Sequence, residues 1–252
     1  MKGVFRKFLV VALVASASAA TLGAQSATTI QVQSSAKGVS YLTDASGMTL
    51  YYYTKDTNGQ SACYGNCATA WPVFYEDTLT VPDSLSASDF GTVTRTDGTK
   101  QTTYKGWPLY YWFKDKKAGD MTGEGVGKEW YVLTVPAYTV MVGTSALGNF
   151  LVDGTGNTLY WFTKDSAGQS ACTGDCLKAW PAFAPDSFAV TSNLNPADFA
   201  TITRPDGAQQ ATYKGYPLYY WVKDAKRGDT TGQGVGKVWY VIDPEKFPPA
   251  KM

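Results

Sequence analysis

One short phrase, built from a tyrosine, a second aromatic residue and an aspartate, occurs four times in the 252 residues. Its form is Y-x-(F/W/Y)-x-x-D, and a leucine precedes each copy. Its members are Tyr51, Tyr53, Asp56, Tyr110, Trp112, Asp115, Tyr160, Phe162, Asp165, Tyr219, Trp221 and Asp224. Phenol and carboxylate oxygens can hydrogen-bond a ligand or coordinate a metal ion. An oxygen site is therefore one interpretation of the phrase.

The same phrase also has a purely structural interpretation. In a strand, its two aromatic side chains point to one face, because side chains alternate along a strand. Asp56 begins the segment Asp56-Thr57-Asn58-Gly59. An aspartate in the first position and a glycine in the fourth fit a type I turn, in which the carboxylate accepts backbone N–H groups. The sequence favours this interpretation, an aromatic core strip closed by a turn-capping aspartate.

The four cysteines form two identically spaced pairs, Cys63-x3-Cys67 and Cys172-x3-Cys176. A glycine inside each pair lets the backbone close a small ring. An even number of cysteines in an exported protein predicts two disulfides. The alternative is that the four thiols are free and hold a soft ion, for which copper(I) is the best match to sulfur. No cofactor is assigned, and copper is the alternative if the four thiols are free.

Histidine is absent from the chain. The commonest general base and the commonest metal ligand are therefore missing, and neither a Ser-His-Asp triad nor a Cys2His2 zinc site can be assembled. Glycan hydrolysis would need two opposed carboxylates, which Asp56, Asp115 and Asp120 could supply only by chance of folding. No catalytic residue is assigned.

The first residues have the pattern of a secretory signal peptide, which we place at residues 1–24. Lys2, Arg6 and Lys7 form a basic start, an apolar core covers residues 8–15, and small residues follow. The apolar core is too short to span a membrane, and no other run is long enough. Export to the periplasm or the cell surface is expected, with no transmembrane segment in the mature chain.

Removing this leader takes three bases from the 22 lysines and arginines and leaves 19 against 21 acidic residues, a net charge near −2. Charges of both signs are interspersed. Binding to nucleic acid or to an anionic membrane surface needs a basic patch, which the sequence lacks. Neither partner is expected.

A shift of 109 positions superimposes one half of the mature chain on the other. It places Cys63 on Cys172 and Trp71 on Trp180, and 15 of the 23 positions from Leu50 to Pro72 are identical. The shift needs no gap. Two abutting repeat domains are predicted at residues 28–136 and 137–245, followed by a tail at residues 246–252.

The local patterns inside each repeat are typical of strands. In the first repeat, β-branched and aromatic runs separated by turn signals predict strands at residues 29–33, 39–44, 49–54, 90–95, 100–105, 109–113 and 130–135. Only residues 67–70 and 86–89 favour a helical turn. The predicted fold is mostly β: two tandem small antiparallel β domains of sandwich or barrel type, each with a short helical turn after its CxxxC loop.

Three further features lie outside the phrase. The glycine-rich stretch at residues 119–128 lacks the spacing of a phosphate-binding loop, and we interpret it as a flexible surface loop. Arg95 and Arg204 occupy equivalent positions and are explained by ion pairs or turns. Most aromatic residues are expected to fill the cores, but Trp107, which precedes a proline, is the best candidate for an exposed binding platform.

The four phrases, together with the S-x-C-x-G-x-C-x-x-x-W-P blocks at residues 61–72 and 170–181, resemble a group of bacterial secreted proteins and lipoproteins described as a secreted repeat of unknown function. The resemblance covers nearly all of the mature chain. It implies an extracytoplasmic location and tandem modules, and it implies no reaction. Lipoprotein members carry a lipid-bearing cysteine after the signal peptide. No cysteine precedes Cys63 here, so lipid anchoring is not expected.

Two functions follow as hypotheses. The first is a non-catalytic accessory of the cell envelope that binds another envelope or surface-layer protein, or a glycan. The second is an extracytoplasmic, copper-dependent redox protein of superoxide dismutase type that serves antioxidant defence. The state of the four sulfurs separates the two.

Overall fold

The computed structural model describes residues 28–247. The predicted signal peptide at residues 1–24 and the last part of the predicted tail, residues 248–252, lie outside the described residues. Within them the chain is mostly β, with small antiparallel sheets and two CxxxC disulfides, each beside a short helix. The predicted fold class is confirmed.

The first repeat contains seven short strands. They are β1 (Ile30–Ser34), β2 (Ser40–Asp44), β3 (Tyr51–Tyr53), β4 (Phe90–Thr94), β5 (Lys100–Tyr104), β6 (Trp107–Pro108) and β7 (Trp130–Val132). Helix α1 (Asn66–Ala70) follows the first cystine loop, and 3-10 turns occupy Thr54–Asp56, Ala87–Asp89 and Val126–Lys128.

The second repeat has the same order of strands and α-helix, without a counterpart of the 3-10 turn Thr54–Asp56. Its strands are β8 (Val140–Ser145), β9 (Gly148–Asp153), β10 (Tyr160–Phe162), β11 (Phe199–Thr203), β12 (Gln209–Tyr213), β13 (Tyr216–Pro217) and β14 (Trp239–Val241). Helix α2 (Asp175–Ala179) corresponds to α1, and 3-10 turns lie at Pro196–Asp198 and Val235–Lys237.

The strands form six sheets of two or three strands, β1-β2, β3-β7 and β4-β5-β6 in the first repeat and β8-β9, β10-β14 and β11-β12-β13 in the second. The strand predicted at residues 109–113 is replaced by β6, which lies just before it. Tyr110, inside the predicted range, forms only single bridges to Tyr51 and Val73. Because this segment forms only one bridge on each side, it has no continuous partner strand and does not form a regular strand.

One hairpin departs from an ungapped duplication. Ser34 faces Ser40 across the β1-β2 turn, which leaves five residues between them, whereas Thr144 faces Asn149 across four residues in the β8-β9 hairpin. Before this turn the equivalent residues are therefore 110 positions apart, as Ile30 and Val140 are, and after it they are 109 apart. The alignment without a gap is wrong at this one turn.

Each repeat is itself built from two halves that are 59 positions apart. The hairpin β1-β2 matches β4-β5 at a shift of 60, with Ile30 on Phe90, but the shift of 59 places Trp71 on Trp130. It also places one Y-x-(F/W/Y)-x-x-D phrase of the repeat on the other. The disulfide belongs to the first half alone, because Thr122 and Val126 stand at the corresponding positions of the second half.

The hairpin β8-β9 contributes to two cores, because its two faces are both apolar. The face that carries Met141, Phe150 and Val152 belongs to the core cluster of the first repeat. The opposite face belongs to the core cluster of the second repeat, through Val140, Val142 and Leu151. The two repeats are therefore packed together through one shared hairpin.

No helix within residues 28–247 is both long enough and apolar enough to cross a membrane.

Candidate functional site

The two tyrosine–aspartate phrases of each repeat lie against each other in antiparallel orientation. Tyr51 N–H donates to Tyr110 O at 2.9 Å, and Tyr110 N–H donates to Tyr51 O at 3.0 Å. Tyr160 and Tyr219 repeat the pair at 2.9 and 3.0 Å in the second repeat. The two halves of a repeat are thus joined about a local twofold axis that passes between the two tyrosines.

Across this axis the phrases exchange their tyrosine and aspartate side chains. The Tyr51 hydroxyl donates to Asp115 Oδ2 at 2.7 Å, and the Tyr110 hydroxyl donates to Asp56 Oδ2 at 2.5 Å. In the second repeat, Tyr160 donates to Asp224 at 2.7 Å and Tyr219 donates to Asp165 at 2.8 Å. Each aspartate is therefore bound by the tyrosine of the other phrase.

The aspartates also accept bonds from the loops that follow them. Asp56 Oδ1 accepts the Ala62 N–H at 2.7 Å, and Asp115 Oδ1 accepts the Thr122 N–H at 3.0 Å. The predicted turn at residues 56–59 is closed by the Gly59 N–H, which donates to Asp56 O at 2.8 Å, but the carboxylates do not make the close turn contact that the pattern predicts. Each carboxylate instead links a tyrosine hydroxyl to a backbone N–H that lies six or seven residues further along the chain, because the hydroxyl holds the carboxylate toward the core.

Burial controls the ionisation of this site. Asp56 is fully buried, and burial raises the pKa of its carboxyl to about 7 against the lowering effect of the Tyr110 hydroxyl. Burial raises the pKa of Asp165 to about 6. It also raises the pKa of Tyr51 and of Tyr110 well above the ordinary tyrosine value. The phenols are therefore neutral hydrogen-bond donors at physiological pH.

The second aromatic residue of each phrase belongs to a stack of four rings. Trp71 and Trp130 lie parallel on the local axis, with centroids 3.8 Å apart, and Tyr53 and Trp112 cover the two ends at 4.1 Å. The second repeat builds the same stack from Phe162, Trp239, Trp180 and Trp221. The phrase therefore supplies both the hydrogen-bonded centre of a repeat and the ends of its aromatic stack.

All four cysteines are oxidised in the structure. Cys63 is bonded to Cys67 at 2.00 Å, and Cys172 is bonded to Cys176 at 1.96 Å. The predicted disulfides are confirmed. The thiolate site that could have held copper required free sulfurs, and this condition is not met. Within residues 28–247 there is no group of three or more cysteine and acidic side chains that could hold a metal ion.

A buried arginine supports each cystine loop. Arg95 donates to Cys63 O at 2.6 Å, to Ser61 Oγ at 2.7 Å and to Gln101 Oε1 at 2.7 Å. Its nearest carboxylate is Asp97, at 3.6 Å. The expected ion pair and turn are present, since Arg95 O also accepts the Gly98 N–H at 3.0 Å, but the shortest side-chain contacts of this arginine are to neutral oxygens. Its presence in both repeats is the only signal that could have indicated this role.

Arg204 repeats the arrangement with Ser170, Gln210 and the Cys172 carbonyl. Neither the arginine nor its glutamine partner belongs to the tyrosine–aspartate phrase. Sequence reasoning therefore missed the network that links the phrase to the cystine loop through Ser61, whose Oγ lies 2.8 Å from the Tyr110 hydroxyl.

One expectation about the surface is wrong. Trp107 is fully buried between the repeats, beneath the Arg227 guanidinium, which lies 4.5 Å from its ring centroid. The stretch at residues 119–128 lies mostly at the surface, as expected, and two of its residues make close contacts with the rest of the repeat. A Cβ on Gly123 would lie 2.8 Å from the Trp71 ring, and Glu124 accepts the Val132 N–H at 2.7 Å.

Asp56, Asp115 and Asp120 do not form the pair of opposed carboxylates that glycan hydrolysis needs. Asp56 and Asp115 are buried, and each is bound by a tyrosine. The Asp120 carboxylate accepts the N–H groups of Lys116 and Lys117 in its own loop. Carboxylates engaged in this way do not face each other across an open cleft.

The surface between the repeats contains several specific contacts. Arg227 Nε donates to Thr57 O at 2.8 Å, and Trp107 Nε1 donates to Gly154 O at 3.2 Å. Thr144 N–H donates to Thr57 Oγ1 at 3.0 Å. Ala118 takes the place of Arg227 in the first repeat, so sequence comparison of the repeats would have singled out Arg227 as a difference.

An apolar groove opens on the far side of the second repeat. We name it the acceptor groove, and it is lined by Leu147, Trp161, Thr163, Gln233, Tyr240, Val241, Asp243, Lys246 and Phe247. Trp161 and Tyr240 are half-buried, and Leu147 projects at the rim with 46 % of its surface exposed. The Phe247 ring packs on Trp161 with centroids 5.2 Å apart and closes one end.

The comparison with protein families agrees with this internal symmetry. A family described as a secreted repeat of unknown function matches residues 35–75, 91–134, 141–184 and 200–243, well over half of the chain. Each matched segment contains one tyrosine–aspartate phrase. Neither the curated proteins nor the solved structures contain a significant match. The chain belongs to the family of secreted repeats of unknown function.

Proposed function

We propose that this protein is a non-catalytic accessory of the cell envelope that binds another surface protein. The tyrosines and aspartates of the phrase satisfy one another inside each repeat, so they act as scaffold. The scaffold in turn presents the acceptor groove. A secreted family without a transmembrane helix in residues 28–247 is consistent with an extracytoplasmic location.

The single observation that carries the proposal is the exposure of the acceptor groove. The Trp161 and Tyr240 side chains face each other across β10-β14 on one side of this sheet and are only partly buried, although a folded protein usually buries such side chains. Aromatic residues are enriched where proteins bind other proteins. Their clustering at one end of the molecule supports a binding surface.

A protein partner is favoured over a glycan. The corresponding surface of the first repeat is covered by polypeptide. The covering segment is the outward face of β8-β9, which is the face that carries Met141, Phe150 and Val152. The groove is also lined mainly by apolar surface, whereas a sugar needs a dense set of hydrogen-bonding groups around its stacking ring. Copper-dependent redox chemistry is not pursued, because the four sulfurs form disulfides and no observation favours that function.

The experiment is site-specific photo-crosslinking in intact cells of the native host. A photoreactive phenylalanine replaces Tyr240 in the groove, and the matched control carries it at Val222, which is 54 % exposed and outside the groove. We expect one discrete protein adduct from position 240, lost when Trp161→Lys is added. Identical adducts from both positions, or a glycan adduct alone, would contradict the proposal.

A further inference from the structure

The acceptor groove has a counterpart in the first repeat that is already filled. The shift of 109 places Tyr52 on Trp161, Tyr131 on Tyr240 and Thr54 on Thr163. It likewise places Glu124 on Gln233 and Tyr138 on Phe247. The groove of the second repeat and the filled surface of the first repeat are thus equivalent parts of the duplicated fold.

The occupant in the first repeat is the outward face of the hairpin β8-β9. Met141, Phe150 and Val152 on this face pack into the core cluster that contains Tyr52 and Tyr131. At its closest approach the face carries Gly143, where an added Cβ would lie 2.8 Å from the Thr57 side chain. A glycine is therefore required at that position of the hairpin.

Hydrogen bonds border the filled surface. The Thr144 hydroxyl lies 3.1 Å from Thr54 Oγ1, and its N–H donates to Thr57 Oγ1. On the other side, the Ser192 hydroxyl donates to Glu124 Oε1 at 2.5 Å. The surface is thus an apolar centre with a rim of hydroxyl and carboxylate groups, which is how protein interfaces are built.

The same positions differ sharply in exposure between the repeats. Tyr52, Trp107 and Tyr131 are fully or almost fully buried beneath the hairpin. Their counterparts Trp161, Tyr216 and Tyr240 are only partly buried. The rim residues Thr163, Ser166 and Gln233 are exposed, whereas Thr54 and Thr57 in the first repeat are buried. The hairpin covers the surface of the first repeat only, and the groove also carries an ion pair between Asp243 and Lys246 where the first repeat has Thr134 and Ala137.

We infer that the acceptor groove binds a β-hairpin of a different protein, one whose outward face is apolar and carries a glycine at the position of Gly143. This inference deepens the proposed function by naming the chemistry of the partner. The hydroxyls of Thr163 and Ser166 and the amide of Gln233 then bond the polar ends of that hairpin.

A second copy of the chain does not meet these requirements. Its equivalent hairpin, β1-β2, carries Gln31 and Thr43 where β8-β9 carries Met141 and Val152. Gln33 stands where the close approach requires a glycine, because it faces Tyr41 as Gly143 faces Phe150. Head-to-tail polymerisation through the groove is therefore disfavoured by the sequence of the first hairpin.

The contact made by Arg227 also disfavours a second copy as the occupant. Arg227 lies over the Trp107 ring and bonds two carbonyl oxygens of the first repeat, Thr57 O and Lys105 O. A second copy would offer Ala118 at this position, and no side chain would reach those acceptors. We expect the true partner to place a long cationic side chain there.

The test uses the full-length protein and a cyclic peptide with the sequence of residues 140–153. The three core-facing residues of the peptide, Val140, Val142 and Leu151, are replaced by threonine for solubility. A control peptide carries the face of β1-β2 instead, with glutamine at positions 141 and 143, tyrosine at 150 and threonine at 152. Binding is followed by NMR shifts of the Trp161 indole N–H, and the oligomeric state by sedimentation.

We expect the first peptide to bind with a Kd below about 1 mM and the control peptide to bind at least about tenfold more weakly. Trp161→Lys and, independently, Tyr240→Lys should weaken binding by about tenfold or more, whereas Val222→Lys should not change it. Two groove variants are used because either one alone could disturb folding, which the amide spectrum reports.

Three results would overturn the inference. The first is no binding of the peptide at concentrations up to about 1 mM. The second is equal binding of the peptide by the wild type and the groove variants. The third is self-association of the free protein that Trp161→Lys abolishes, which would identify a second copy as the occupant. Failure of the proposed function is a separate outcome, since crosslinking in cells can find no partner while the purified protein still binds the peptide.

Discussion

The hydroxyl of Tyr110 donates a 2.5 Å hydrogen bond to the buried carboxyl of Asp56, although 54 residues separate them in the chain. Tyr51 and Asp115 form the reciprocal bond at 2.7 Å. The two halves of a repeat thus hold each other by the same pair of groups, used in opposite directions. This exchange gives the repeated phrase a role in building each domain.

The first prediction concerns pH. Burial raises the pKa of Asp56 to about 7, above its unfolded value near 4. The folded state therefore binds the proton more tightly, and stability is lost as pH rises from about 4 to 7. From pH 5 to pH 8 the contribution of Asp56 to the free energy of unfolding should fall by about 2–3 kcal/mol.

Urea unfolding of the wild type and of Asp56→Asn at both pH values measures this effect. Asn carries no titrating proton, so the variant should lose this part of the pH dependence. Asp83→Asn, at an exposed position, is the matched control and should leave it unchanged. An identical pH dependence in wild type and Asp56→Asn would refute the assignment.

A second prediction tests the tyrosine donors. Tyr110→Phe removes the donor from a buried carboxyl and should lower the free energy of unfolding by about 1–3 kcal/mol. Tyr75→Phe removes a comparable bond to Asp77 at an exposed site and should cost less than about 0.5 kcal/mol. Equal effects of the two substitutions in urea unfolding would show that the buried exchange adds no stability.

A third prediction concerns the sulfurs. Mass spectrometry of the unreduced, exported protein after alkylation should find no modified cysteine, because both pairs are disulfides. Replacing Cys63 and Cys67 together by serine should cost roughly 2 kcal/mol, the chain-entropy estimate for so small a loop. Four alkylated thiols, or stoichiometric copper in the native protein with superoxide dismutation that a chelator removes, would restore the redox hypothesis.

A fourth prediction concerns the contact between the repeats. Arg227→Ala removes two hydrogen bonds to main-chain oxygens of the first repeat and the guanidinium above Trp107. The free energy of unfolding should fall by about 1–3 kcal/mol. Arg227→Lys should restore little of it, because a single ammonium cannot replace the planar fork. Lys226→Ala, at the neighbouring exposed position, is the control.

Hydrogen exchange separates a loss of the interface from a general loss of stability. With Arg227→Ala, amides of β8-β9 on the interface should exchange faster while those of β12 remain protected. A uniform change across both repeats would mean that Arg227 acts on overall stability and does not hold the two repeats together.

The local structure of this protein could be predicted from its sequence. The alternation of β-branched and aromatic residues gave strands close to β1, β2, β4 and β5, and the CxxxC spacing with its glycine indicated a closed ring followed by a helical turn. These signals succeed because they depend on residues that are near one another in the chain, where side-chain alternation and turn chemistry act directly.

The duplication was equally readable, since it is a pattern of residue identity. The family match in four segments rests on the same phrase that is visible by eye. Trp107 was misjudged because its burial depends on Arg227, which is 120 positions away in the chain. The one-residue difference between the first hairpins was missed because the ungapped alignment is otherwise so consistent.

The sequence alone determined the repeat, the β character and the oxidised cysteine pairs, all of which follow from short-range patterns. Only the tertiary structure decided which tyrosine meets which aspartate and which aromatic face stays open. Both depend on how distant segments pack, and chemically equivalent residues can be buried or exposed according to a single neighbouring hairpin. That is why Tyr52 and Trp161, equivalent in the sequence, lie in a closed interface and an open groove.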